Sequence, residues 1–300
     1  MKQILIIIFL VVASWFSGFA QRDGRKVEAY GYYKASADYV VDSVQVIVQY
    51  RRTQVVINNA TKQHETLNDT LTLAIGQRWS VFCNTRYDNR RAAWFANNRK
   101  RSRLATKPFS VKPVPLSSVL EKKDAGEDYM ENYGGEPVVL YTDRKTGAAI
   151  SCLYDIINKE CVQKGIRFEN AWTFQEGQDT VLNYVCSKAV AHYSGRDYTA
   201  WFSMEIPIPC GPWKLGSLPG LILKAEDAES LVQFEAIGVE MPENAVITMN
   251  DDLERVEFDY FCKLADKARS VRIGSFFYQG EVIFVESNPY TFIEMEKEGR

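Results

Sequence analysis

The chain has 300 residues, with 36 Lys and Arg against 38 Asp and Glu; the formal net charge of −2 excludes bulk attraction to nucleic acid or any other polyanion. A hydrophobic fraction of 46% and a charged fraction of 25% are those of an ordinary globular protein, and 13% aromatics, with Tyr and Phe at 16 each, lean toward β structure. Disorder, collagen and coiled coil are ruled out, and the length suffices for a sizeable core.

Residues 1–20 read as a signal peptide: Lys2, an apolar run from Ile4 to Val12, then Ser17-Gly18-Phe19-Ala20 with small residues at the −3 and −1 positions. Cleavage after Ala20 is expected, leaving 21–300 as a single β-rich domain in the periplasm or outside the cell. No later stretch approaches ~18 uninterrupted apolar residues, so no transmembrane segment is expected after cleavage. Residues 43–49 alternate as a half-buried strand, with Val44, Val46 and Val48 on one face. The stretch 86–107 carries eight cations against Asp88, with Tyr87, Trp94 and Phe95 among them; the favoured reading is a solvated hairpin, and the alternative a surface for a polyanion such as a lipopolysaccharide core or an acidic glycan. Residues 121–136, poor in aliphatic side chains and rich in charge and glycine, read as an exposed loop. Further strands are expected over 148–154, 181–193, 199–207, 231–239 and 280–286, with turns at 143–147, 176–178 and 194–197, an antiparallel meander. One amphipathic helix is expected over 250–268, capped by Asn250, with Leu253, Val256, Tyr260, Phe261 and Leu264 at helical spacing. The fold class is therefore mainly β, a curved antiparallel sheet with one or two helices.

All six cysteines, Cys83, Cys152, Cys161, Cys186, Cys210 and Cys262, lie in the exported part, where disulfides are permitted. Only Cys152 and Cys161 have local support for pairing, because 157–160 between them can turn a hairpin. No CxxC exists, which removes the usual signature of thioredoxin-like chemistry and thiolate zinc sites.

The parts for catalysis are few. There are two histidines, His64 and His192, and no HExxH, GxSxG, SxxK, GxGxxG or GxxxxGK[ST], so no catalytic residue, metal or cofactor is assigned. His192 reads as a hydrogen-bonded residue on a sheet and His64 as solvent-exposed.

The most unusual run spans 172–240: Cys186-Ser187-Lys188-Ala189, then Gly195-Arg196-Asp197-Tyr198-Thr199-Ala200-Trp201, Ile206-Pro207, Gly211-Pro212-Trp213-Lys214, and Leu218-Pro219-Gly220-Leu221-Ile222. In extended chain Trp201, Ser203 and Glu205 share one face while Ala200, Phe202, Met204 and Ile206 take the other, toward the core. Pro207, Pro209, Pro212 and Pro219 cannot donate to a ladder, which places 207–219 at a sheet edge or loop. This run resembles the GLPGLI family of exported Bacteroidetes proteins. Ser217 stands where the family hexapeptide begins with glycine. The resemblance implies a periplasmic or outer-membrane-associated protein, often encoded beside TonB-dependent receptors, and a strand pattern similar to the half-barrel of LolA-type lipoprotein carriers; it implies no activity. In that lineage Asp-Ser/Thr-apolar triplets mark O-glycosylation, which makes Ser43, Thr70 and Thr180 candidates, with turn and strand-start chemistry as the other reading.

The expected function is a non-enzymatic envelope protein that holds an apolar or amphipathic ligand such as a lipid, or docks an outer-membrane partner such as a TonB-dependent receptor system. Its candidate binding residues are Arg196, Trp201, Ser203, Glu205, Trp213 and the corner residues Leu218, Pro219, Gly220 and Leu221. The alternative is a hydrolase of envelope or host polymer using carboxylates, for example Glu205 with an acid from a distant strand.

Overall fold

A computed structural model describes residues 27–31, 40–58, 61–84, 138–154, 160–167, 171–249, 254–257, 260–261, 273–278, 281–286 and 290–292. The expected signal segment 1–20, the basic stretch 86–107 and the expected loop 121–136 lie outside them. In chain order the strands are β1 (Glu28–Gly31), β2 (Val40–Asn58), β3 (His64–Gly76), β4 (Trp79–Cys83), β5 (Val138–Asp143), β6 (Ala148–Tyr154), β7 (Glu160–Arg167), β8 (Thr173–Val181), β9 (Tyr184–Tyr193), β10 (Arg196–Ser203), β11 (Leu221–Asp227), β12 (Val232–Glu240), β13 (Ala245–Thr248), β14 (Glu254–Arg255), β15 (Ile273–Tyr278), β16 (Glu281–Glu286) and β17 (Tyr290–Phe292).

Among the described residues fifteen of these strands form one open, curved sheet, in the order β14-β7-β6-β5-β4-β3-β2-β12-β11-β10-β9-β8, with β13 and β17 also on β2 and β1 on β13. Every pairing is antiparallel except β1 with β13 and β14 with β7. β15 and β16 form a separate hairpin. The 19-residue β2 is the spine: β3 runs along one side from Val44 to Ile57, while β13, β12 and β17 share the other.

Alternation along β2 sorts the side chains onto two faces. Val46, Val48 and Tyr50 join Leu73, Phe82, Leu140 and Phe234 in the largest core cluster. Ile47 points the other way, with Ala74, Val81 and Tyr141, beneath Tyr30, Ala245 and Ile247 of the β1–β13 pair. The Tyr141 hydroxyl donates to the Thr248 carbonyl at 2.7 Å and ties that cover down. Val44 departs from the expected single valine face. The ladder to β3 slips between Val44 and Val46, leaving Gln45 as an extra residue, and this bulge turns Val44 toward Ile47.

Turns account for two further departures. The expected strand 181–193 is a hairpin, because Leu182 (φ 50°) and Asn183 (φ 67°) both adopt the left-handed conformation and reverse the chain between β8 and β9. The 176–178 turn is instead a bulge inside β8, where Gln175 faces Lys188 and Gln178 faces Ser187. The turns at 143–147 and 194–197 form as expected. Of the predicted helix, Glu254 and Arg255 are strand, captured by the edge of β7, while among the described residues Tyr260 and Phe261 are helical, the Phe261 N–H donating to Glu257 O at 2.9 Å. The rest of 250–268 lies outside the described residues. The expected Cys152–Cys161 bridge is also missing, and no disulfide occurs among the described residues. β6 and β7 do pair, but Cys152 stands opposite Val162 and Cys161 opposite Leu153, one register step out of alignment.

Candidate functional site

The 172–240 run folds into β8–β12, and its proline corner closes over the sheet. Strand β10 ends at Ser203, whose buried hydroxyl accepts the Glu205 N–H at 3.2 Å, so alternation stops there and Met204 is exposed rather than in the core. The corner then returns through Leu221, which donates its N–H to Ile206 O at 2.9 Å, and Ile222, which donates to Cys210 O at 3.0 Å. Leu215 and Leu218 pack on Phe202, Ile222 and Ala200. Trp213 reaches farther, its ring edge-on to Phe82 with centroids 6.3 Å apart, and Phe82 in turn touches Tyr50 and Phe234. The Tyr50 hydroxyl donates to Ile222 O at 2.6 Å. Gly220 is obligatory, because a Cβ there would lie 2.0 Å from the Ser203 carbonyl oxygen.

The Tyr50 face of the sheet is thus filled by the protein's own corner. Of the nine candidate binding residues, Arg196, Ser203, Trp213, Leu218, Gly220 and Leu221 are buried; Glu205 and Pro219 are exposed and Trp201 is half-buried. Arg196 and Asp227, 3% and 1% exposed, form an ion pair that clamps the start of β10 to the end of β11, while the other Asp227 oxygen accepts the N–H groups of Leu231 and Val232. Both residues are structural.

Ser217 takes a backbone conformation that favours glycine. Its φ is +68°, in the left-handed region, whereas Gly216 before it has an ordinary φ. The glycine of the resembled hexapeptide thus falls where the backbone wants one, and a serine there bears a conformational cost. Ser217→Gly is expected to raise stability by about 0.5–1 kcal/mol in urea unfolding, the residual after glycine's own entropy loss.

The opposite face of β8–β11 is partly covered: Cys186 is buried in the main core and Trp201 packs against it, while the charged side chains around them reach solvent. Register sets seven residues in a row across seven strands: Gln175, Lys188, Trp201, Lys224, Glu235, Arg51 and Thr70. Lys224 Nζ lies 4.5 Å from the Trp201 ring centroid and 3.1 Å from Asp179 Oδ2. That ammonium and the Thr180 N–H hold the Asp179 carboxyl below its ordinary range. Glu205 accepts the Val185 N–H at 2.9 Å. Burial, with smaller contributions from the nearby Asp179 and Glu205 charges, pushes the Cys186 thiol up; burial does the same to Cys210 against the opposing effect of Arg144 and Ser80. Neither is an activated nucleophile.

The sheet therefore does bring a distant acid, Asp179, into the neighbourhood of Glu205, but in the ionised, ion-paired state rather than that of a general acid. Sequence reasoning missed Asp179, Lys188 and Lys224, whose relation to Trp201 depends on strand register. His192 Nδ1 lies 2.7 Å from Asp197 Oδ1 on an exposed hairpin. Ser43, Thr70 and Thr180 are all exposed, and their preceding acids are engaged: Asp42 by the Arg78 and Trp79 N–H groups, Asp69 by Arg52, Asp179 by Lys224. Among the described residues no group of three His, Cys, Asp or Glu is placed to hold a metal, and no helix is long and apolar enough to cross a membrane.

No family model and no curated protein matches the chain. Two solved structures of PNGF-II, in P21 and C2 space groups, are similar to it with 13% identity and a TM-score of 0.48, covering 79% of this chain and 35% of theirs. The chain thus spans about a third of the length of the solved chains it matches. A likeness of that grade defines neither a shared fold nor a shared activity.

Proposed function

We propose that the chain is an exported, non-enzymatic binding protein of the cell envelope, of the kind its GLPGLI-like segment implies, and that it works through the open face of β8–β11 rather than through an interior cavity. One observation carries this reading: Leu215 and Leu218 cover Ala200, Phe202 and Ile222, while half-buried Trp201, packed against the main core that also holds Trp213, stands amid paired and partly exposed charges. An outer-membrane partner is favoured over an enclosed lipid on that ground. The hydrolase alternative draws on the same patch, since Asp179 and Glu205 both act on Cys186, but the Lys224 ion pair works against an acid role for Asp179.

The test is native mass spectrometry of the protein isolated from its own periplasm, with lysine cross-linking before extraction. The expected result is a lipid-free polypeptide beginning at Gln21, cross-linked through Lys188 or Lys224 to an envelope component. A lipid retained one-to-one would move the working surface inside. Polymer hydrolysis that Asp179→Asn abolishes would make the protein an enzyme.

A further inference from the structure

We propose that the row centred on Trp201 is a binding track for a neutral oligosaccharide, an inference that rests on the open-face reading above and names its ligand. Trp201 stands directly between Lys188 and Lys224 on the neighbouring strands, so an aromatic plate is flanked on both sides by hydrogen-bond donors. Acceptors interleave with them: Asp179 beside Lys224, Glu235 beside Arg51, and Glu226 two positions along β11 from Lys224. The side chains of Lys224 and Asp179 are 33% and 39% exposed, and those of Arg51 and Glu235 51% and 47%, so these groups are within reach of a ligand from solvent.

Charge decides the ligand class. Lys188, Lys224 and Arg51 balance Asp179, Glu226 and Glu235, and two of the pairs close on themselves, Lys224 with Asp179 at 3.1 Å and Arg51 with Glu235 at 2.5 Å. A polyanion or a basic peptide gains nothing over such a surface, because each charge it meets is already compensated nearby. A polyhydroxylated ligand needs donors and acceptors in alternation and an apolar plate for the C–H face of a sugar ring, and the row supplies both. Its geometry suits a chain-like ligand. Seven strands at about 4.8 Å spacing make a track roughly 29 Å long that follows the curve of the sheet, with a step close to the advance per sugar of an extended glycan. Lys224, now over the Trp201 ring, is the group that must swing aside for a sugar to stack, and Asp179 is placed to hold it when it does.

The experiment is titration of the isotope-labelled mature protein with four neutral probes, cellohexaose, mannohexaose, xylohexaose and chitohexaose, following the Trp201 indole N–H signal assigned with Trp201→Phe. At least one probe is expected to shift that signal at millimolar concentration or below; by isothermal titration calorimetry, which needs no indole signal, Trp201→Ala is expected to weaken that probe at least tenfold and Lys188→Met to weaken it less, each variant keeping the wild-type unfolding midpoint within a few degrees. Hexalysine and polygalacturonate should leave the signal in place. Silence with all four probes, or equal calorimetric affinity of Trp201→Ala and wild type, overturns the glycan track. If that silence is accompanied by cross-links to an envelope protein through Lys188 or Lys224, the binding-protein reading survives without it. If mass spectrometry finds shortened oligosaccharides, the non-enzymatic reading fails, and the probe shift decides the track separately.

Discussion

Arg196→Ala is expected to lower stability by about 3–5 kcal/mol, because it leaves the carboxylate of Asp227 buried without its counter-charge. Asp227 is 1% exposed and cannot relax into water, and its second oxygen is already held by the N–H groups of Leu231 and Val232. The cost therefore arises mainly from an orphaned charge rather than from lost packing. Two variants separate the causes. Arg196→Met keeps most of the side-chain volume and should be almost as damaging as alanine. Adding Asp227→Asn to Arg196→Met should recover part of the loss, because the amide oxygen still accepts from the turn while the buried charge is gone. Urea unfolding followed by circular dichroism reads all three. A loss below about 1 kcal/mol for Arg196→Ala would place the pair in the class of solvent-screened bridges, contrary to its burial.

Trp213→Ala should cost a comparable ~3–5 kcal/mol, the range for emptying a large aromatic site in a packed core. Trp213 joins the corner to Phe82, and through it to Tyr50 and Phe234, so its removal opens a cavity where the two halves of the sheet share one core. Its backbone provides an internal control. Trp213 has φ +53°, a conformation that glycine adopts freely and alanine does not. Trp213→Gly should thus be no worse than Trp213→Ala, and better by up to about 1 kcal/mol, although glycine is ordinarily the more damaging substitution. Glycine proving clearly worse than alanine would contradict the left-handed geometry of the corner.

Much of the architecture was legible because period-two alternation is a local property. Strand β6 matches the expected 148–154, and the 194–197 turn announces itself through Gly195, which adopts positive φ freely. The failures have equally local causes. Leu182 gives no turn signal, since leucine rarely occupies the left-handed region, and the β8–β9 hairpin was hidden behind it. Gln45 bulges out of the β2–β3 ladder and turns the valine pattern over at Val44. The helical spacing around Val256 and Tyr260 did not prevent Glu254 and Arg255 from pairing with β7, because an unpaired sheet edge offers backbone partners that periodicity cannot anticipate.

The candidate site was less legible. Trp201 stood out as a residue, but the Lys188 and Lys224 beside it are 13 and 23 positions away in the chain and meet it only through register. The corner's role was visible in outline only. Four prolines specify a rigid, ladder-free connection from sequence alone, whereas the crowding of Gly220 against Ser203 and the corner's position across Phe82 depend on the tertiary structure. By itself, the order of residues determined the strand-rich class, the position of most turns and the stiffness of the corner, all consequences of short-range sterics and alternation. How far each face of β8–β11 is covered was decided only by tertiary packing, because contact between segments far apart in the chain is a property of the whole sheet.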